Sequence, residues 1–354
     1  MSYLAGMSMQ CAQGESSSVL AGLAAPGQPE KTAFNFLNQP QQAAYFRAFD
    51  CERLDEGALF GLLEHYLLEA AEDAGWSAQA LSETPVFIGS TSYLLPYYEL
   101  HYLAKQQLFK QHSLHQLADY LKQSRGNRQV YCFATACTSS GQALMQAHAM
   151  LESGLISRAF VVGLETFNLL TLMHFHSLGL LSDRCVPFGG DGFVLGEGIA
   201  CLALSREKTD GGKQFRLASA AANTGTASPV ETDSESLCRV MRQALGQAGV
   251  AADDVRMVKA HAVGTAATDE AEAAALQSVF GRTMPLAAFK PLIGHTQGAS
   301  TALETVLLYQ ALRQGRLAGE AALQGSYPLD AGFYLANFFG FGGSNMAFVW
   351  EWQQ

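Results

Sequence analysis

An α/β fold is predicted for this chain, on three observations. Short apolar runs of the buried-strand kind alternate with segments whose apolar residues recur at helical spacing. Around residue 137 the order is strand, tight turn, helix, strand, which is a parallel α/β unit. At 354 residues and 49% hydrophobic, the chain can bury a large core, as one big domain or two fused halves.

Taken in order, residues 1 to about 50 are rich in Gly, Ser, Gln and Pro, with one short apolar start (Tyr3 to Met7) and a helix-like Ser17–Leu23. From Leu54 to Glu72, Leu59, Leu62, Leu63, Tyr66 and Leu67 recur at helical spacing, an amphipathic helix. Pro85 to Ser90 reads as a short buried strand, and Leu114 to Lys122 as helical. Between His101 and Val130 lie Lys105, Lys110, Lys122, Arg125 and Arg128 against Asp119 alone, the one clearly positive stretch. A solvated helix face and a docking site for an acidic partner account for it about equally.

Val130 to Ala136 is an apolar run that ends at Cys137, and the small residues Thr138, Ser139, Ser140 and Gly141 lead into a helix to about Ser153, which Gly154 stops. A thiol at that turn meets unpaired backbone N–H groups and the positive end of the helix dipole, both of which favour thiolate. A small buried hydrophobe is the alternative, since most free cysteines are that. Ala159 to Glu165 is the next strand, so the thiol sits at the carboxyl end of a strand, where such folds place their ligands.

Gly189 to Gly198 is glycine-rich but lacks the helix and acidic residue of a dinucleotide fingerprint and has no Gly-Lys-Ser/Thr. A tight turn before the strand Ile199–Ser205 fits it better. Glu207 to Lys213 is the joint between two halves, residues 1–210 with the thiol and 211–354. The second half repeats the rhythm without a visible sequence repeat. Phe215–Ala222 is a strand, Ser234–Gly249 a helix, and Val255–His261 a strand ending in a histidine. Glu270–Phe280 is a helix, Pro285–Phe289 a strand ending at Lys290, and Gly298–Arg313 a helix. Phe333–Phe339 and Met346–Trp352 are antiparallel strands around a glycine turn.

Composition bounds the function. A net charge of −10 argues against a broad nucleic-acid surface, and the 15% charged fraction suits a compact enzyme core. Seven cysteines, an odd count at irregular spacing, form no disulfide framework and fit a reducing compartment. Cys132 and Cys137 lack the paired spacing of a zinc site, so no metal is expected. There is no secretory signal pattern and no apolar run of membrane-spanning length, so a cytoplasmic location is expected.

Cys137, His261 and His295 each follow a short buried strand or a tight glycine turn. Singly, each histidine reads as a structural residue. The words around them are Ala136-Cys-Thr-Ser-Ser140, Lys259-Ala-His-Ala-Val-Gly-Thr265 with Asp269 and Glu272, Lys290-Pro-Leu-Ile-Gly-His-Thr-Gln-Gly-Ala299 and Asn337-Phe-Phe-Gly-Phe-Gly-Gly-Ser-Asn345. In this order they closely resemble the β-ketoacyl-acyl carrier protein synthases, the condensing enzymes of the thiolase fold. The resemblance covers about Val130 to the C-terminus, and the first hundred residues match only loosely.

It implies a thiolase-like fold, two related α/β halves packed as a five-layered αβαβα core, with no metal or organic cofactor. It implies that Cys137 accepts an acyl group from an acyl carrier protein or coenzyme A thioester, that His261 and His295 are the paired catalytic histidines, and that Lys290 stands beside them. Phe341, in a turn with Phe339 and Gly342, matches a mobile gating phenylalanine. Thr265 and Phe175 fall where the family contacts substrate, while Asp269 and Glu272 match acidic positions that are structural. The chemistry needs such a set: acyl transfer needs a thiolate and fixed donors for the oxyanion, here the N–H groups of Cys137 and Phe341, one donor being worth roughly 3 kcal/mol. Decarboxylation of a malonyl thioester needs neutral imidazoles that donate from Nε2 to the enolate oxygen.

The departures are Ala262 and Val263 where the family usually has Gly and Thr, Pro291 and Leu292 for Ser-Asn, and a Pro187–Gly192 loop two residues shorter than usual, without its first Asp and its Arg. They suggest a divergent branch with a trimmed loop near the pocket. The expected partners are acyl carrier protein in acyl and malonyl forms, and a second subunit, either a copy of this chain or a paralogous ketosynthase subunit. Two alternatives compete with decarboxylative condensation in fatty acid or type II polyketide/polyene synthesis. One is a chain-length-factor-like subunit, which usually loses the cysteine; the other is an acyltransferase or decarboxylase using part of the reaction.

Overall fold

Each buried strand of this chain alternates its side chains between two apolar layers, and that alternation builds the fold. The computed structural model describes residues 1–16, 18–19, 28–49, 55–108, 115–208, 212–225 and 232–354. Most of Ser17–Leu23, together with Cys51 and Lys110, lies outside the described residues. The strands are β1 (Ser2–Cys11), β2 (Glu30–Phe36), β3 (Gln39–Phe46), β4 (Val86–Gly89), β5 (Val130–Phe133), β6 (Arg158–Glu165) and β7 (Leu195–Gly196). They continue with β8 (Gly198–Ser205), β9 (Gln214–Thr224), β10 (Val255–Lys259), β11 (Leu286–Ala287), β12 (Gly332–Gly340) and β13 (Ser344–Gln353). The helices are α1 (Glu56–Asp73), α2 (Leu95–Lys105), α3 (Gln116–Arg125), α4 (Ser139–Glu152) and α5 (Leu169–Ser177). Then come α6 (Ser234–Ala248), α7 (Ala266–Phe280), the short α8 (Lys290–Ile293) and α9 (Ser300–Gln314).

Among the described residues one eleven-stranded sheet runs β11-β10-β12-β13-β9-β1-β8-β6-β4-β5, with Gly14–Glu15 folded back on β1. Its halves meet at a narrow antiparallel seam, Ser2 opposite Leu217 and Tyr3 opposite Arg216. From the seam outward each half makes the same pairings, two antiparallel and then two parallel. The repeat is therefore in topology rather than in sequence.

Among the described residues the three largest apolar cores bind five layers together, the middle one spanning both faces of the central helices. In β6, Ala159 and Val161 face one core while Phe160, Val162 and Leu164 face another, the period-two alternation of a strand buried on both sides. In β13, Phe348 and Trp350 point inward and Ala347 and Val349 outward. The middle core holds α4 and α9, and twelve of the fifteen residues of α9 are buried. Helix α1 covers the outer face of the first half, and α6 with α7 that of the second. This is the αβαβα arrangement that the sequence words implied.

The first fifty residues were underestimated by the sequence. Strand β1 is the innermost strand of its half, but Met7, Ser8 and Met9 carry no β-branched signal. A polar hairpin, β2 and β3, turns at Leu37 and Asn38, both with positive φ as a two-residue hairpin turn requires. Helices α2 and α5 were also not predicted, and the Pro285–Phe289 strand contracts to two residues before Lys290 opens α8.

Candidate active site

Cys137 lies between β5 and α4, in a turn that its neighbours tie down. Thr138 Oγ1 donates to the Thr135 carbonyl at 2.7 Å, Ser139 Oγ to the Ala136 carbonyl at 2.6 Å, and Ala136 takes a left-handed φ of 53°. A non-glycine residue held there costs roughly 1–3 kcal/mol, which the surrounding bonds offset. The turn sits close against the sheet: a Cβ on Gly89 of β4 would come within 2.2 Å of the Ser140 nitrogen.

His295 reaches the thiol from the loop between α8 and α9. Its N–H donates to the Val194 carbonyl at 2.7 Å, and its Nε2 stands 3.1 Å from Cys137 Sγ. Phe193 packs edge-on to the imidazole at 5.4 Å. His261 follows β10 by two residues rather than ending it, and its ring centroid is 5.7 Å from that of His295. Glu272 of α7 accepts from the backbone N–H groups of His261 and Ala262, both at 2.8 Å, and from Asn337 Nδ2 at 3.0 Å. The Phe339 N–H donates to His261 Nδ1 at 3.2 Å, which leaves Nε2 as the protonated nitrogen of the neutral ring.

Lys290 is fully buried behind the histidines. Its Nζ donates to the His261 carbonyl and to Glu304 Oε1, both at 2.8 Å, so it fixes histidine geometry without touching either ring nitrogen. Burial, together with the Lys290 charge and then the other neighbouring cations, pushes both imidazoles well below their ordinary range. They are neutral rings at physiological pH.

The thiol differs from the sequence expectation. Burial pushes Cys137 up to about 11 and Glu165 pushes the same way, outweighing the Phe341 N–H and the Lys290 charge. The resting form is therefore a thiol, because the turn is dry and the start of α4 does not repay the lost hydration. For such a thiol to act as a nucleophile a base must take its proton, and His295 Nε2 at 3.1 Å is within reach of it. Glu165 is caged by Ser90, Thr91 and Ser92, whose hydroxyls donate to it at 2.7 to 3.0 Å.

A cavity of about 270 Å³ is lined by Cys137, His261, His295, Thr265, Phe175, Phe339 and Phe341. A second cavity of about 530 Å³ reaches Cys137 from the other side, past Ala134, Ala136, His174 and Gln297. Both are walled by Phe175 and Phe341, whose rings lie 5.7 Å apart. Gly342 does not line either one; its φ of 80° lets the chain turn between β12 and β13. The backbone N–H groups of Cys137 and Phe341 both bear on the sulfur. Among the described residues no His/Cys/Asp/Glu cluster could hold a metal ion.

Two family descriptions match the chain in tandem, "Beta-ketoacyl synthase, N-terminal domain" over residues 27–210 and "Beta-ketoacyl synthase, C-terminal domain" over residues 215–324. The chain belongs to the β-ketoacyl synthase family. The match extends well before Val130, so the loose N-terminal resemblance understated it. Erythronolide synthase EryA2 of Saccharopolyspora erythraea is 36% identical over 201 residues, 52% of this chain and 6% of that protein. The non-reducing polyketide synthase sor2 of Hypocrea jecorina is 31% identical over 214 residues, 55% of this chain and 8% of that protein. The chain thus spans a small part of the polyketide synthases it matches. Two solved structures share the thiolase-like fold over nearly their whole length. A ketosynthase (ApeO) in complex with its chain length factor (ApeC) from Xenorhabdus doucetiae has a TM-score of 0.85 at 22% identity, covering 99% of this chain and 97% of that one. A β-ketoacyl synthase from Burkholderia phymatum STM815 has a TM-score of 0.82 at 22% identity, covering 100% and 99%.

Several β-ketoacyl synthase features had no clear signal in the sequence. Glu304 and Asn337 are the buried polar partners that hold Lys290 and Glu272. The available clue was a glutamate inside the apolar run of α9. The basic stretch is also divided: Arg125 pairs with Glu64, while Lys105, Lys122 and Arg128 are exposed. None of the four lines either cavity that reaches Cys137. The trimmed loop packs on the segment after His261, with the Phe188 N–H donating to Asp269 at 2.6 Å and Gly190 against the Gly264 carbonyl, and it lines neither cavity that reaches Cys137. Among the described residues no helix is long and apolar enough to cross a membrane.

Proposed function

We propose that this chain carries out decarboxylative Claisen condensation of an acyl thioester with a malonyl thioester borne by acyl carrier protein, in fatty acid or type II polyketide/polyene synthesis. The observation that carries it is the 3.1 Å approach of His295 Nε2 to Cys137 Sγ, with His261 on the same cavity. In the first half-reaction His295 takes the Cys137 proton as Sγ attacks the acyl carbonyl. The N–H groups of Cys137 and Phe341 receive the oxyanion, and the carrier thiolate leaves with the proton. In the second, the malonyl carboxylate departs as carbon dioxide and the Nε2–H of His261 supports the enolate oxygen. The enolate carbon attacks the acyl-enzyme and expels the Cys137 thiolate, which takes a proton from solvent. No step calls on a metal or an organic cofactor.

A second subunit belongs to the same proposal. Strand β5 is an edge of the large sheet and carries exposed Tyr131, and exposed Ala134 just after it stands in the wall of the second cavity. The ApeO–ApeC pair and the ishigamide ketosynthase/chain length factor are complexes of two such subunits. Retention of Cys137 with both histidines favours the catalytic subunit over the chain-length-factor role.

Incubation with acyl and malonyl carrier proteins, alone and with candidate partner subunits, tests the proposal by mass spectrometry. An acylated Cys137 and a β-ketoacyl product are expected. Absence of acylation under every pairing overturns the enzyme reading in favour of the partner role, and acylation without a condensed product favours a partial acyltransferase.

A further inference from the structure

Lys259 ends β10 two residues before His261, and its side chain is as deeply buried as that of Lys290. Its Nζ donates to Glu304 Oε2 at 2.7 Å, while Lys290 Nζ donates to Glu304 Oε1 at 2.8 Å. The same Nζ stands 3.5 Å over the ring of Phe338, next to the residue whose N–H holds His261 Nδ1. One carboxylate thus takes two ammonium groups in a dry core. Lys290 with Glu304 would already be a neutral pair that holds the His261 carbonyl. A second buried cation adds a charge that costs desolvation and is unnecessary for that purpose.

We propose that Lys259 is a positioning residue of the condensing site, whose charge fixes Lys290 on the His261 carbonyl through Glu304 and holds both rings neutral, His261 as an Nε2–H donor and His295 as a base. This rests on the function proposed above. The groups facing Lys259 are Glu304 from α9, Lys290 from α8, Glu272 from α7 and the Phe338 ring from β12, with both histidines within its field. Burial pushes the Lys259 ammonium down to about 7; Glu304 pulls it up and Lys290 pushes it down further. Burial raises Glu304, yet the two ammonium groups outweigh it and keep that carboxyl ionised. The Lys259 cation is therefore present below about pH 7 and lost as pH rises through that value.

The test compares wild type with Lys259→Met, which keeps the length of the side chain and its contact with Phe338 while removing the charge. Ring-nitrogen NMR of His261 and His295 is the readout that does not depend on activity, and malonyl-carrier decarboxylation against pH is the second. In wild type both rings stay neutral, His261 with its proton on Nε2, and decarboxylation falls as pH rises through about 7. In Lys259→Met the histidines titrate nearer their ordinary range, and kcat at pH 6 drops on the order of tenfold, less than the loss of a direct donor. KM is unchanged and the fall near pH 7 disappears. A folded Lys259→Met with wild-type histidine titration and an unaltered pH profile overturns the proposal. If that variant does not fold, ¹⁵N spectra of the lysine side chains and histidine rings in wild type decide instead: histidine shifts that change in step with loss of the Lys259 charge support it, and histidine shifts that ignore that titration overturn it. Absence of decarboxylation in wild type with the histidine shift intact would count against the condensing function and not against the role of Lys259.

Discussion

His295 Nε2 stands 3.1 Å from Cys137 Sγ, inside a turn that holds the sulfur as a protonated thiol. The geometry pairs a poor resting nucleophile with a base that faces it, so the pH dependence of the two should separate. Burial raises Cys137 to about 11. Alkylation of Cys137 by iodoacetamide should climb with pH through 9 and level only near 11, whereas acylation by a thioester, with His295 as base, should proceed at neutral pH. Linkage gives a second reading. Between pH 9 and 11 the native state keeps a proton that the unfolded chain releases, so stability falls with rising pH across that window and is intact below it. Cys137→Ser should flatten that part of the stability–pH curve, and an alkylation plateau near pH 7 would contradict the buried-thiol account.

Glu272 holds two backbone N–H groups of the His261 loop and the Asn337 amide. Glu272→Gln keeps the shape but leaves one buried N–H facing an amide NH₂ instead of an oxygen. An unmade buried hydrogen bond costs about 1–3 kcal/mol. Urea denaturation should show a loss of that size, with the midpoint lowered and the slope unchanged. Ala262, held at a φ of 45°, should be the first part of the loop to relax, and kcat should fall more than KM rises.

Much of this arrangement was legible in the sequence, and the gaps have physical reasons. Cys137, His261 and His295 announce themselves because each sits in a local word of small residues and glycine that a tight turn demands. Lys259 and Glu304 do not, because their meaning comes from meeting each other across 45 residues of chain. Strand β1 was hidden for a similar reason: Met7 and Met9 become β residues only once β8 lies beside them. The state of the thiol went the other way. The helix start was readable, but desolvation depends on every layer packed above the turn, and no short stretch encodes that.

The exposed basic residues give a more restricted docking prediction than the whole stretch would. Arg125 is engaged by Glu64, so its reversal would disturb α1 against α3 and confuse the outcome. Lys122 and Arg128 are exposed, and neither borders a cavity that reaches the thiol. Reversing both, Lys122→Glu with Arg128→Glu, should raise KM for carrier-bound substrate and weaken its salt dependence, with kcat unchanged. Kinetics identical to wild type at low and high salt would remove this face from carrier docking.

Phe341 contributes two separable things to the site, its ring and its N–H. The ring walls both cavities, and the N–H bears on Cys137 Sγ. Phe341→Ala removes the partition and keeps the donor, so acylation of Cys137 should persist while discrimination among acyl chain lengths weakens. Gly340→Ala does the opposite. Its Cβ would stand 3.2 Å from the Cys137 nitrogen, and relief of that crowding must move the turn that carries the Phe341 N–H. Displacing one such donor costs on the order of 10²–10³ in rate. Gly340→Ala should therefore lower the acylation rate steeply at unchanged chain-length preference. Competition among acyl carrier proteins of different chain length, followed by intact-mass measurement of the acyl-enzyme, reads both effects. Equal behaviour of the two variants would mean that ring and N–H act as one unit.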